Sequence, residues 1–291
     1  MSKKPPRLVK TAKVDLPVVE ASDLAVRTSG GRTVVLVVGD RTATVAAGAY
    51  DGGFGDWATL DLSEIAGWPL SGESQMEAIA ADGGSLVAIM SEDPPVVLVA
   101  DADARRFVAQ IMLVAPPGSP LDGAWDDPSS RGEGLVLLRG GRLLVAKEKR
   151  PSALIEFSPA GTPAQGLSPD DFLGPDEAWD PPDGNVEFVA TSVWPLGGSA
   201  SDTLGDVSSL AVARDRSLWL LSDKSATVAR LRFDRPLPPE TGAIEEFAEA
   251  WRLPKRVEKP EGIAALDETR VLVAMDTGST TKNGMIVERP H

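Results

Sequence analysis

Five short words recur along the chain, and their recurrence restricts it to a repeat fold built from similar β-units. They are Ala21-Ser22-Asp23-Leu24-Ala25, Met76-Glu77-Ala78-Ile79-Ala80, Gly132-Glu133-Gly134-Leu135-Val136, Val207-Ser208-Ser209-Leu210-Ala211 and Lys259-Pro260-Glu261-Gly262-Ile263. Aligned, they form a column of Ser22, Glu77, Glu133, Ser208 and Glu261, whose members lie 55, 56, 75 and 53 residues apart. Each word opens an apolar run, which leads through a Gly- or Asp-rich turn such as Ser29-Gly30-Gly31-Arg32 or Arg139-Gly140-Gly141-Arg142 into a second run. That is a hairpin signal. The second run always closes on an acid: Asp40, Glu92, Glu148, Asp223 and Asp276.

A third and a fourth strand follow in each repeat, the fourth leading toward a proline. Four strands per period of this length are the mark of propeller blades, with the extra residues in loops. The last repeat has three strands before the chain ends. Leu8 to Pro17 matches the missing fourth, so pairing of the two ends would close the ring and protect its sheet edges. The expected fold is therefore all-β: a five-bladed β-propeller in one domain, residues 1–291. Its blades span roughly 20–65, 75–116, 131–196, 206–254 and 259–291 plus 7–17. A β-sandwich, or a sixth degenerate blade within 158–200, is the competing architecture. The 75-residue step carries an insertion near Gly161 to Gly184, expected to be one long surface loop.

First strands line the channel of a propeller, so the column predicts three carboxylates and two hydroxyls around one axis. Carboxylates crowded in a poorly solvated space either hold protons or recruit a cation. An all-oxygen set suits calcium, which takes about 6–8 oxygen ligands in flexible geometry. Zinc and copper are disfavoured, because the chain has no cysteine and its one histidine is His291. The alternative is that the glutamates only accept bonds from backbone N–H groups at the strand starts. The same shortage of histidine excludes Ser-His-Asp chemistry. The word Asp276-Thr277-Gly278-Ser279 has an aspartic-protease look, but the chain ends at residue 291, too soon for the rest of a lobe.

The local words resemble those of the calcium-activated nucleotidase (apyrase) family. Glu20-Ala21-Ser22-Asp23-Leu24 is similar to its E-L-S-D-L, Asp40-Arg41-Thr42 to its D-D-R-T-G with Gly39 in place of the first Asp, and Lys259-Pro260-Glu261-Gly262 to its K-Y-E-G. The repeats also resemble the SdiA-regulated propellers of bacteria, whose blades open on E-G-I and S-G-L words. The first resemblance implies a five-bladed propeller with calcium in the channel and a phosphohydrolase acting on nucleotides. The second implies the fold without an enzymatic role.

Two functions follow. One is a non-catalytic scaffold whose channel calcium is structural and whose mouth binds a small molecule or protein. The other is a calcium-dependent phosphohydrolase, with Asp40 as the base that activates water. In either, Asp23, Arg41, Glu92, Glu148, Asp223 and Asp276 are expected around the metal or ligand. Arg41, Arg131, Lys147, Lys149, Arg150, Lys224, Lys259 and Lys282 could meet a polyphosphate, or could be ordinary salt-bridge partners. Trp125 and Trp179 are candidates for ligand stacking, the other tryptophans for packing between blades. The acidic loops Asp122 to Asp127 and Asp176 to Asp183 lack EF-hand spacing.

A net charge of −14 disfavours nucleic acid and anionic membrane as partners. With 42% hydrophobic residues the chain can bury a sizeable core. No run has signal-peptide or membrane-span character, which leads to a cytoplasmic monomer as the expectation, with a processed secreted form as the alternative.

Overall fold

The computed structural model describes residues 4–70, 75–103, 105–119, 121, 124–127, 130–174 and 176–290. His291, part of the Asp122 to Asp127 loop and one position of the insertion therefore lie outside the described residues. The described chain is all-β and falls into four-stranded units. The first unit is β2 (Ala21–Ser29), β3 (Arg32–Gly39), β4 (Thr42–Tyr50) and β5 (Phe54–Asp61), paired antiparallel in sequence order. The second is β6 (Met76–Ala81), β7 (Leu86–Ser91), β8 (Val96–Asp101) and β9 (Arg106–Val114). The third is β10 (Gly132–Leu138), β11 (Arg142–Lys147), β12 (Ala153–Pro159) and β13 (Gly184–Pro195). The fourth is β14 (Ser209–Val212), β15 (Leu218–Ser222), β16 (Thr227–Leu231) and β17 (Phe247–Arg252). The fifth joins the two ends of the chain: β1 (Val9–Val14) pairs antiparallel with β20 (Gly284–Glu288), followed by β19 (Arg270–Met275) and β18 (Pro260–Ala265).

The glycine turns form as the sequence predicts. Gly30 and Gly31 have φ of 57° and 76°, and Gly140 and Gly141 of 71° and 68°, the left-handed pair that a tight hairpin needs.

Burial explains why the inner strands are apolar on both faces. Leu24, Val35 and Val37 belong to a core cluster shared with Ala264, Leu272 and Ile286, whereas Ala25, Leu36 and Val38 belong to another shared with Ile79, Val87 and Ile89. Alternate residues of one strand thus face different neighbours, as a period of two dictates. Among the described residues there are five such clusters, each between consecutive units, and one of them joins the fifth unit to the first. The opening strands follow the same cycle: β2 packs on β6, β6 on β10, β10 on β14, β14 on β18 and β18 on β2. The outer strand β5, by contrast, is largely exposed.

Two features depart from expectation. Units two and three are fused into one eight-stranded sheet, because Gly184–Val189 of β13 pairs parallel with Ala109–Val114 of β9. The 12-residue β13 has a register shift between Glu156 and Phe157 of its partner, and it is long enough to bond on both edges. The insertion, expected to be a loose surface loop, is fastened from within. Arg142 and Glu156 are buried and paired at 2.6 Å, and Arg142 also reaches Asp171 in the insertion. Glu156 accepts in addition from Ser192 and from the backbone of Gly166. Leu167, Phe172 and Trp179 of the insertion are all core residues.

Candidate functional site at the acidic mouth

Four of the five column residues sit at the same irregularity. The pairing of each opening strand with the next slips between Ala21 and Asp23, Met76 and Ala78, Gly132 and Gly134, and Pro260 and Gly262. Ser22, Glu77, Glu133 and Glu261 are the unpaired residues of these bulges. Ser208 stands just ahead of β14 and donates its backbone N–H to the Leu221 carbonyl, to which Ser209 is also paired. A bulge releases one residue from the ladder and re-aims its side chain, which is how a strand presents a carboxylate that plain pleating would turn into the core.

The acids that end the second strands are held beside the column by a repeated bond. The N–H groups of Asp40, Glu92, Glu148 and Asp276 donate to the carbonyls of Glu20, Gln75, Arg131 and Lys259, each two residues ahead of a column member. The fourth unit differs: buried Asp206 accepts from the Ser222 hydroxyl and the Lys224 N–H. Gly39 owes its identity to this arrangement, since a Cβ there would lie 2.4 Å from the Val19 carbonyl oxygen.

Together these residues make one mouth rich in negative charge. Burial, and then repulsion from Asp40, Glu92, Glu261 and Glu148, pushes Glu77 up to about 8. Glu133 is raised well above the usual carboxylate range by burial and by Glu77, Glu148, Glu92 and Glu261. Glu261 rises to about 7 through burial and the neighbouring Asp223 and Asp276. Burial is also the leading cause of upward shifts at Asp40, Glu92 and Asp223. Glu77 and Glu133 both feel the charge of Glu261, Glu133 also feels that of Glu77, and Glu148 bears on all three.

Their oxygen chemistry fits a hard cation. As placed, however, no group of three or more acidic side chains among the described residues is gathered tightly enough to hold a metal. The hydroxyls are engaged as well: Ser22 donates to the Glu20 carbonyl and Ser208 to the Pro260 carbonyl. Both keep lone pairs for a further partner.

Sequence reasoning missed the layer beneath. Asp23, expected to face a ligand, is completely buried, and both its oxygens are taken. One accepts from the Ser209 hydroxyl at 2.6 Å and the other from the Ile79 N–H at 2.9 Å. Ser209 in turn accepts from the Ile263 N–H at 3.0 Å, so one pair of side chains ties β2, β6, β14 and β18 together. Close approach is possible because the corresponding residues of β10 and β18 are Gly134 and Gly262. A Cβ there would lie 2.8 Å from the Leu210 nitrogen and 2.9 Å from the Asp23 Cα, respectively.

The cations expected at the mouth are mostly committed. Arg41 pairs with Glu20 at 2.7 Å, Lys149 with Glu148 at 2.5 Å, Lys259 with Asp276 at 2.6 Å and Arg150 with Asp127 at 3.3 Å. Arg131 bonds the carbonyls of Glu92 and Trp125. Lys147 does not face the mouth at all: it is buried, donates to Ser130 and to the Lys149 carbonyl, and is lowered to about 8 by that burial. Trp125 and Trp179 are not stacking platforms, being core residues whose indole N–H groups donate to the carbonyls of Leu113 and Leu138. The Asp276 word is a turn, with its carboxylate on Lys259 and Gly278 at φ 60°.

No protein-family model and no curated protein matches the chain. The nucleotidase and SdiA-regulated resemblances therefore rest on their short words alone. Solved structures do match, and they are of β-propeller type. One is regucalcin, a calcium-binding protein of Agrobacterium tumefaciens, 10% identical over 99% of this chain and 95% of that one, with a TM-score of 0.53. Others are a streptogramin B lyase, 10% identical over 97% of each chain at 0.48, and the PQQ-bound aldose sugar dehydrogenase of Streptomyces coelicolor, 14% identical over 98% of each chain at 0.45. At such identities the likeness to regucalcin shows a propeller-like fold and nothing of activity. No helix among the described residues is long and apolar enough to cross a membrane.

Proposed function

We propose that the chain is a single-domain, five-bladed β-propeller that binds calcium at its acidic mouth and acts as a scaffold for a small molecule or protein, without catalysis. Five clusters between consecutive units, closed by the pairing of β1 with β20, support the ring. The observation that carries the metal is the set of bulge glutamates. Glu77, Glu133 and Glu261 are each half-buried and held well above the ordinary carboxylate range, first by burial and then by neighbouring acids. A divalent cation would supply the positive charge that lets all three ionise, with Ser22 and Ser208 as neutral donors and waters completing the shell. Glu92, Glu148, Asp40, Asp223 and Asp276 would surround it. That the solved neighbour regucalcin is a calcium-binding protein is consistent with this reading.

The pairing of Arg41, Lys149 and Lys259 with acids favours the scaffold over the phosphohydrolase, because a polyphosphate at this mouth would first have to break those pairs. Calorimetric titration of chelator-treated protein with calcium tests the metal. A saturable signal lost in Glu133→Gln is expected; no signal at pH 8 would sink the reading. Calcium-dependent phosphate release from a nucleotide panel, abolished by Asp40→Asn, would instead establish the enzyme.

A further inference from the structure

A hollow of about 300 Å³ is lined largely by basic residues. Its lining includes Lys10 and Lys13 on β1, Lys255 and Arg256 in the segment before β18, and Lys282 in the turn before β20. In a chain of net charge −14, five basic residues around one hollow need an account. Many cations elsewhere are paired with acids, Arg41, Arg139, Lys259 and Arg270 among them. Here, among the described residues, none of the five side chains takes part in an ion pair or a side-chain hydrogen bond. Asp15 stands at the edge of this turn, its carboxylate accepting from the backbone N–H of Lys282.

The local structure brings these five exposed residues around one hollow. Lys10 and Lys13 are three residues apart, a spacing that would put them on opposite faces of a regular strand. A bulge between Lys10 and Ala12 corrects this: Lys10 pairs with Val287 and Lys13 with Met285, positions two apart on β20 and so on one face. Arg256 and Lys282 both occupy left-handed turn positions, φ 69° and 57°, where glycine or asparagine is more easily accommodated. Beneath them lie the buried side chains of Met275 and Met285.

Like charges gathered without counter-ions repel, and a multivalent anion relieves all the repulsions at once. We infer that this hollow is a binding site for a condensed phosphate chain, either free or carried on a nucleotide. The phosphate oxygens would lie among Lys10, Lys13, Lys255, Arg256 and Lys282, and any organic part would lie over Met275 and Met285. The hollow has the size of a small-molecule site, at the lower end of about 300–1,000 Å³. This site involves none of the carboxylates of the acidic mouth and stands or falls independently of calcium there.

The test is calorimetric titration of the full chain with inorganic triphosphate, in chelator to keep calcium out. Saturable binding that weakens with added salt is expected. The doubly reversed variant Lys13→Glu/Lys255→Glu, which removes no contact, should bind at least about tenfold more weakly with an unchanged melting temperature. Arg105→Glu, a charge reversal at an exposed residue outside the lining, should bind as the parent does. Adenosine triphosphate forms the second arm: equal affinity assigns recognition to the phosphate chain, and tighter binding adds a contact on the methionine floor. Absence of saturable binding, or equal affinity in the reversed variant, overturns the site. So does an equal loss of binding in Arg105→Glu, which would reduce the effect to net charge, and so does tighter binding of a duplex DNA oligonucleotide.

Discussion

Asp23 accepts a 2.6 Å hydrogen bond from Ser209, 186 residues further along the chain. The bond lies in a fully buried layer, where the same carboxylate also takes the Ile79 N–H and the same hydroxyl also takes the Ile263 N–H. Asp23→Ala leaves the Ile79 N–H and the Ser209 hydroxyl without their acceptor. Each orphaned buried group costs about 1–3 kcal/mol, so a loss of about 2–6 kcal/mol is expected in denaturant unfolding. Asp23→Asn keeps an acceptor for Ile79 and can donate to Ser209, and should cost distinctly less. Equal losses in the two variants would refute the hydrogen-bonded tie.

Gly262 tests the same layer from the other side. Its absent side chain leaves room for the Asp23 backbone, which a Cβ would approach to 2.9 Å. The contact is with main chain, so it cannot be relieved by turning a side chain aside. Gly262→Ala should destabilise the protein by about 1–3 kcal/mol through overpacking, seen as a lowered melting temperature. Gly30→Ala, where a Cβ meets open space, would be strained only by its φ of 57° and serves as the milder comparison.

Calcium-free stability should fall as pH rises. Glu77 and Glu261 ordinarily titrate at 4.5 but at about 8 and about 7 in the folded chain. Below the ordinary value both are protonated whether folded or not, and no penalty exists. Between about 5 and about 8 the unfolded chain has released its protons while the folded one must still hold them, so stability is lost progressively. At ~1.4 kcal/mol per pKa unit, either group outweighs a surface ion pair. Melts in chelator should therefore show a falling melting temperature from pH 5 to pH 8. Added calcium should restore it at pH 8 and do little at pH 5; a melt insensitive to pH would contradict the buried, mutually repelling glutamates.

How much of this was legible follows from what each feature depends on. The hairpins at Gly30-Gly31 and Gly140-Gly141 and the closing strand β1 depend on turn chemistry and alternation, which are local and visible. The column itself was visible as a recurring word. The bulges that aim it were not, because the unpaired residue is Ser in one strand and Glu in three, and nothing in its type announces a slipped register. The link from Asp23 to Ser209 and the fusion of β9 with β13 depend on residues far apart in the chain and brought together only by the tertiary fold. Trp125 and Trp179 lie in loop-like sequence, yet their rings fill the core; loop composition reports the backbone, not the destination of a large side chain.

Arg142 and Glu156 supply the last prediction. The pair is buried, and Glu156 also takes bonds from Ser192 and Gly166, while Arg142 extends to Asp171 across the insertion. Removing Glu156 leaves the buried Arg142 with Asp171 as its one remaining acid and takes the acceptor from Ser192 and Gly166, at a cost of up to about 3–5 kcal/mol. Glu156→Ala should show that loss in global stability and, in addition, free the 160–174 segment that Arg142 anchors. Limited proteolysis of the variant at temperatures well below its melt should cut first within that segment, while the parent resists. A variant that loses stability but is cut elsewhere would mean that Leu167 and Phe172, not the ion pair, hold the insertion down.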